Sequence, residues 1–176
     1  MSLARRICCA LLVVMALPAA GTLLAANTGW KTVRPEGGAF TCEMPGEPKR
    51  TSQKLSTPVG MIDVVAYSLD VPTGAYVVSA TPIPRNAPAL STQQRLDGAR
   101  DGAVKNVNGT LVSEKQIKLD NHQGRELVVK GPQGVYIHQR MFMVGNQLVQ
   151  AVAVSQSKAE STDMSRFFHS IKLSRN

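Results

Sequence analysis

Four side chains within residues 124–154 have the types and spacing to bind an anion: Arg125, Tyr136, His138 and Arg140. Two turn signals fold this stretch into a three-stranded antiparallel meander. Gly131-Pro132-Gln133-Gly134 closes the first hairpin, and Gly145-Asn146 closes the second with two residues that accept positive φ. Counting back from Gly145-Asn146 sets Phe142 against Val149, Arg140 against Ala151 and His138 against Ala153. On the other face the same count sets Met143 against Leu148, Met141 against Gln150 and Ile137 against Val154, which reads as core. A four-residue first turn sets Arg125 against Arg140, Leu127 against His138 and Val129 against Tyr136. Arg125, Arg140, His138 and Tyr136 then share one face, where opposed arginines repel unless solvent, an acid or a bound anion separates them. The expectation is an anionic docking face. The competing reading is a wet outer sheet face with Glu126 or another acid beside the arginines.

Other reactive types are present without a pattern that chemistry requires. Asp97 and Asp101 stand four apart on a helix, but no calcium-loop pattern or second acidic cluster accompanies them, and Arg100 and Lys105 are placed to neutralise them. His122, His138 and His169 fall in different elements with no metal-type spacing, and a zinc site would have to recruit Cys42. No nucleophile elbow, phosphate loop or dinucleotide fingerprint occurs. The expectation is therefore no catalytic set, no metal and no cofactor.

The 176 residues allow one domain, and 43% apolar content supplies a core. Arg5 and Arg6 precede an apolar run over residues 7–17, followed by small residues, as in a secretory signal peptide ending at Ala26 or, as second choice, Ala20. Cys8 and Cys9 precede the run and form no lipobox. The expected organisation is a leader over residues 1–26 and a single exported, soluble domain over 27–176, periplasmic or secreted. Only Cys42 then remains, so no internal disulfide forms, and strand alternation places it with Phe40 and Met44 as a buried inert thiol. The net charge of +8 falls to about +6 without the leader. Its basic residues are scattered, without the runs and aromatic interleaving of a nucleic-acid binder. Lipid head groups, cell-wall polymer or an acidic protein suit this charge better.

Along the chain, residues 30–33 and 38–44 read as early strands, 49–56 and 61–70 as a hairpin through Thr57-Pro58-Val59-Gly60, and 75–81 as a further strand after Val71-Pro72-Thr73-Gly74. The proline-rich residues 81–88 form a loop. Ser91 with Gln94 is a capping box for a helix carrying Leu96, Ala99, Ala103 and Val107 inward and ending at Asn108-Gly109. Residues 110–119 are a strand. Ser157 with Glu160 reads as a second capping box, opening a helix that buries Met164, Phe167 and Phe168, with Ile171 just beyond and a short terminal strand over 171–173.

Phe40-x-Cys42-x-Met44-Pro45-Gly46-x-Pro48, Thr57-Pro58-x-Gly60, Tyr67, Gly124-Arg125-Glu126, Arg140 and Phe168-His169-Ser170-Ile171-Lys172-Leu173 resemble small exported bacterial domains of the PsbP-like, or Mog-type, α/β/α fold. The resemblance implies an antiparallel sheet of six to seven strands with helices on both faces. It also implies docking instead of one fixed chemistry, since relatives include an extrinsic photosystem subunit and a binder of a small GTPase. The expectation is thus a non-enzymatic binding module for a protein or anionic envelope partner. The alternatives are a periplasmic hydrolase with a cleft beside residues 81–88, or a carrier of a small ligand or lipid between helix and sheet.

Overall fold

A computed structural model describes residues 29–35, 38–57 and 60–174. The expected leader, residues 1–26, lies outside the described residues, as do Pro58 and Val59 of the first hairpin turn. The elements run β1 (Lys31–Val33), β2 (Phe40–Met44), β3 (Lys49–Thr57), β4 (Gly60–Val71), β5 (Gly74–Pro82), α1 (Thr92–Asn106), β6 (Thr110–Leu119), β7 (His122–Lys130), β8 (Tyr136–Val144), β9 (Gln147–Ser155), α2 (Thr162–His169) and β10 (Lys172–Leu173). They form a seven-stranded antiparallel sheet in the order β3-β4-β5-β9-β8-β7-β6 and a three-stranded sheet in the order β1-β2-β10.

This arrangement corrects the expected α/β/α sandwich with helices on both faces. The described residues are mostly strand, with two sheets and, beside one 3-10 turn at Pro132–Gly134, only two α-helices. The reason lies in the period of residues 31–44. Phe40, Cys42 and Met44 are buried and alternate with half-buried Thr41 and Glu43, a period of two that a helix cannot satisfy. These residues therefore cover the large sheet as strands. β1 and β10 flank β2, and Val33, Phe40, Cys42, Met44 and Leu173 point into a core shared with Tyr76, Val78, Phe142, Val149, Ala151 and Ala153. The eight-residue α2 completes that layer with Met164, Phe167 and Phe168. Phe167 is fully buried, with Tyr76 edge-on at 5.2 Å and Phe168 at 5.1 Å.

The opposite face carries α1 over β7 and β8. Leu96, Ala99 and Ala103 meet Leu127, Val129, Met141, Met143 and Leu148. The α1 start follows its sequence signal: Ser91 Oγ accepts from Gln94 N–H at 3.2 Å while Gln94 Oε1 accepts from Ser91 N–H at 2.9 Å. For α2 the cap falls four residues later than Ser157. Ser161 Oγ accepts from Met164 N–H at 3.2 Å, and Thr162 starts the helix. The Ser157 hydroxyl is engaged locally, accepting from Ala159 N–H at 3.0 Å, so it shapes a turn in place of a helix start.

The two hairpins of the meander differ in how closely they follow the turn count. β8 and β9 pair as counted from Gly145-Asn146, with Arg140 opposite Ala151 and His138 opposite Ala153. β7 and β8 do not. Gly131 N–H donates to Val135 O at 2.8 Å, so Val135 belongs to the connection and Lys130 pairs with Tyr136 across five residues. Gln133 takes φ 59° and Gly134 φ 77° to make the bend. The extra residue slips the register by one, and because side chains alternate, the slip carries β7 side chains to the other face.

Candidate anion-binding groove

The slip decides the fate of the expected arginine face. Glu126, not Arg125, stands opposite Arg140. Arg140 Nε donates to Glu126 Oε2 at 2.7 Å, and its guanidinium lies 4.9 Å from the Phe168 ring centre. His138 is buried, with Nε2 3.2 Å from Ser157 O, and Tyr136 is half-buried at the start of β8. Arg140, His138 and Tyr136 thus share one face of β8, and the Arg140 charge is already paired.

Arg125 sits on the other face, under α1, where Met141 is its neighbour in β8. Its side chain is 8% exposed and pairs with Asp97 of α1 and, at 3.4 Å, with Glu114 of β6. Its Nη2 also donates to Gln93 Oε1 at 2.9 Å. Arg100 reaches Glu114 at 3.1 Å and Asp101 at 2.9 Å. Asp97 and Asp101 are therefore parts of a charge network that fastens α1 to β6 and β7. The β8 and β9 amides Gln139 and Gln150 are buried on this same face, and neither Nε2 has a hydrogen-bond partner.

The histidines lie apart. The His122 ring nitrogens face Met143 O at 3.2 Å and Ser174 O at 3.1 Å, and His169 Nδ1 faces Ser165 O at 2.7 Å. Among the described residues no three His, Cys, Asp or Glu side chains gather to hold a metal ion. Cys42 is a buried free thiol. Burial, and secondly the neighbouring Glu43 carboxylate, push its pKa up to about 12, which keeps it protonated and unreactive at neutral pH.

A concavity that local sequence patterns do not reveal is built from the outer face of the small sheet and the end of α2. Alternation that turns Val33, Cys42 and Leu173 inward turns Thr32, Thr41, Glu43 and Lys172 outward, and pairing sets Thr32 against Glu43 and Thr41 against Lys172. Arg34 follows β1, while Arg166, His169 and Ser170 come from α2 and its cap. Together they line an open groove of about 390 Å³. Arg34, Arg166 and Lys172 are exposed, and among the described residues Glu43 is the one acid in the lining. Arg166 stacks 4.1 Å from the Trp30 ring centre and holds Glu43 Oε2 through Nη2 at 2.9 Å and Nε at 3.1 Å. Ser170 Oγ accepts from Glu43 N–H at 2.8 Å, locking the helix cap to β2. Arg34, Lys172 and His169 remain directed at the groove, with Glu43 as the one acidic side chain of its lining among the described residues.

Among the described residues no helix is long and apolar enough to cross a membrane. No protein-family model matches the sequence, and no curated protein is significantly similar to it. A solved structure of similar fold is the solution structure of cyanobacterial PsbP (CyanoP) from Synechocystis sp. PCC 6803, 8% identical, covering 90% of this chain and 99% of that one with a TM-score of 0.57. The chain has a PsbP-like fold.

Proposed function

We propose that this protein is an exported, non-enzymatic docking module that seats a phosphate-bearing envelope component in the groove between the small sheet and α2. The observation that carries the reading is the charge balance there: Arg34, Arg166 and Lys172, with His169 beside them, against Glu43 as the one acid among the described residues. Arg34, just past β1, and Lys172 of β10 lie on the two sides of β2 in a sheet whose inner face is fixed by the core, so their attachment points are held while the charged ends are exposed. A PsbP-like scaffold, used elsewhere for docking, is consistent with that role. Arg140, His138 and Tyr136 lie on the large-sheet face that α2 packs against, with Phe168 between Arg140 and the helix core. His138 is buried there and Arg140 is held by Glu126, so these residues stand apart from the groove.

Each Lys or Arg near an anionic surface contributes about 1 kcal/mol. Arg34→Ala with Lys172→Ala should therefore weaken sedimentation with phosphatidylglycerol vesicles by about 30-fold while leaving the melting curve in place, because both side chains are exposed. Phosphatidylcholine vesicles should not bind. If inorganic phosphate protects the protein thermally but vesicles do not retain it, the groove serves a free phosphate compound instead of a lipid surface. Retention by the double variant equal to the parent's would overturn the reading.

A further inference from the structure

The two edges of the large sheet are finished differently. β6 carries a register shift between Leu111 and Ser113 that leaves Val112 out of the ladder, and a bulge of this kind blunts an edge against pairing. β3 is the other edge, and its nine residues pair with β4 from Lys49↔Ser68 to Thr57↔Gly60 without interruption.

The hairpin closes across two residues, so Thr57 and Gly60 form the hydrogen-bonded closing pair and hydrogen-bonded pairs recur at every second residue. Lys49, Thr51, Gln53, Leu55 and Thr57 thus spend their backbone groups on β4. Arg50, Ser52, Lys54 and Ser56 direct N–H and C=O away from the sheet, and Ser52, Gln53, Lys54 and Ser56 are exposed. The strand carries Lys49, Arg50 and Lys54 and no acid, and the β4 residues paired with it offer one acid, Asp63 opposite Lys54, so the edge stays net positive. Arg50 and Lys54 stand four apart on one face of the strand.

We propose that the β3 edge accepts an extended acidic segment of a partner protein as an eighth, antiparallel strand. The backbone groups of Arg50, Ser52, Lys54 and Ser56 supply the ladder. Acidic residues four apart in the segment pair with Arg50 and Lys54 and set its register. A second copy of the chain is disfavoured as occupant, because its β3 carries the same Lys49, Arg50 and Lys54 and no acid to meet them. Lysine and arginine on an edge discourage indiscriminate strand addition; an acidic segment is the class whose pairing they favour.

The test uses the purified protein and two fluorescein-labelled nine-residue peptides of alternating valine and threonine, one with two glutamates four apart and one with lysines in their place. The glutamate peptide should bind at least ten times tighter and slow amide exchange at Arg50, Ser52, Lys54 and Ser56. Arg50→Glu with Lys54→Glu should reverse the preference, and Ser52→Pro should weaken both peptides, since it removes an outward donor and no β4 bond. Arg34→Ala with Lys172→Ala should leave peptide binding unchanged, which separates the edge from the groove. Equal affinity for the two peptides, protection confined to β6 or the groove, or a dimer that the glutamate peptide does not disperse would each overturn the proposal.

Discussion

Replacing Arg125 with alanine separates the observed register from the one counted off a four-residue turn. Had Arg125 faced Arg140 on a wet surface, its removal would relieve repulsion and leave stability within about 0.5 kcal/mol. In the structure Arg125 is buried beneath α1; its Nη2 donates to both Asp97 and Gln93, while its Nε, 3.4 Å from Glu114, makes an ion pair and no hydrogen bond. The two Nη2 hydrogen bonds are charge-assisted and contribute about 1.5–3 kcal/mol each. Two facts discount the sum: Asp97 is 42% exposed, and Arg100 still neutralises both acids at 3.6 and 3.1 Å. Loss of the packed aliphatic stem adds back about 1 kcal/mol. The expected cost of Arg125→Ala is therefore about 3 kcal/mol, a Tm drop of roughly 6–12 °C for a chain of this size. Urea melts should show a lower midpoint with an unchanged m-value. Arg140→Ala, which loses one partly exposed ion pair and a ring contact, should cost about 1 kcal/mol. A cycle with Asp97→Asn should give a coupling of at least about 1 kcal/mol. Stability of Arg125→Ala within 0.5 kcal/mol of the parent, or a larger loss for Arg140→Ala, would refute the register and the burial together.

Gln139→Leu should be neutral or stabilise by about 1 kcal/mol in urea melts, because the buried Nε2 it removes has no partner. Phe167→Ala should cost about 3–5 kcal/mol by opening a cavity between Tyr76 and Phe168, read by the same melts. At Gly74, φ is +152° and an added Cβ would stand 1.8 Å from Val154 O, so Gly74→Ala should fail to fold or lose more than about 3 kcal/mol, visible as loss of near-ultraviolet dichroism. The Cys42 thiol is held protonated by folding, with its pKa raised from 9.0 to about 12. Its contribution is whole below pH 9.0 and is lost as pH rises towards 12, at about 1.4 kcal/mol per pH unit in that window. Melts of the parent and Cys42→Ala between pH 8 and 11 (about those values) should converge as pH rises; parallel curves would contradict a buried thiol.

Features set by neighbouring residues were legible in the sequence. Gly145-Asn146 fixes the β8–β9 register because a two-residue turn leaves no freedom in the count, and Ser91 with Gln94 marks the α1 start. Alternation at Phe40, Cys42 and Met44 predicts a buried thiol. The letters Gly131-Pro132-Gln133-Gly134 do not say whether Val135 joins the turn or the strand; the Gly131–Val135 hydrogen bond decides it, and one residue moved Arg125 to the other face. The α/β/α expectation failed because the layer over the Tyr76–Phe142 face is largely a sheet that joins β10 to β2 from the far end of the chain. The groove was hidden for the same reason. Arg34, Arg166 and Lys172 are scattered in sequence, and only the Lys172↔Thr41 pairing and the docking of α2 bring them together.

The most direct test of the docking groove is an NMR titration of the amides with inorganic phosphate, at low salt and again at about 0.5 M salt, where screening shortens to a few ångströms. The account predicts shifts clustered at Thr32, Arg34, Thr41, Ser170 and Lys172, with movement of the His169 ring signals, all suppressed by salt. Shifts spread evenly over the surface, or concentrated at Arg140 and His138 with the groove silent, would contradict it.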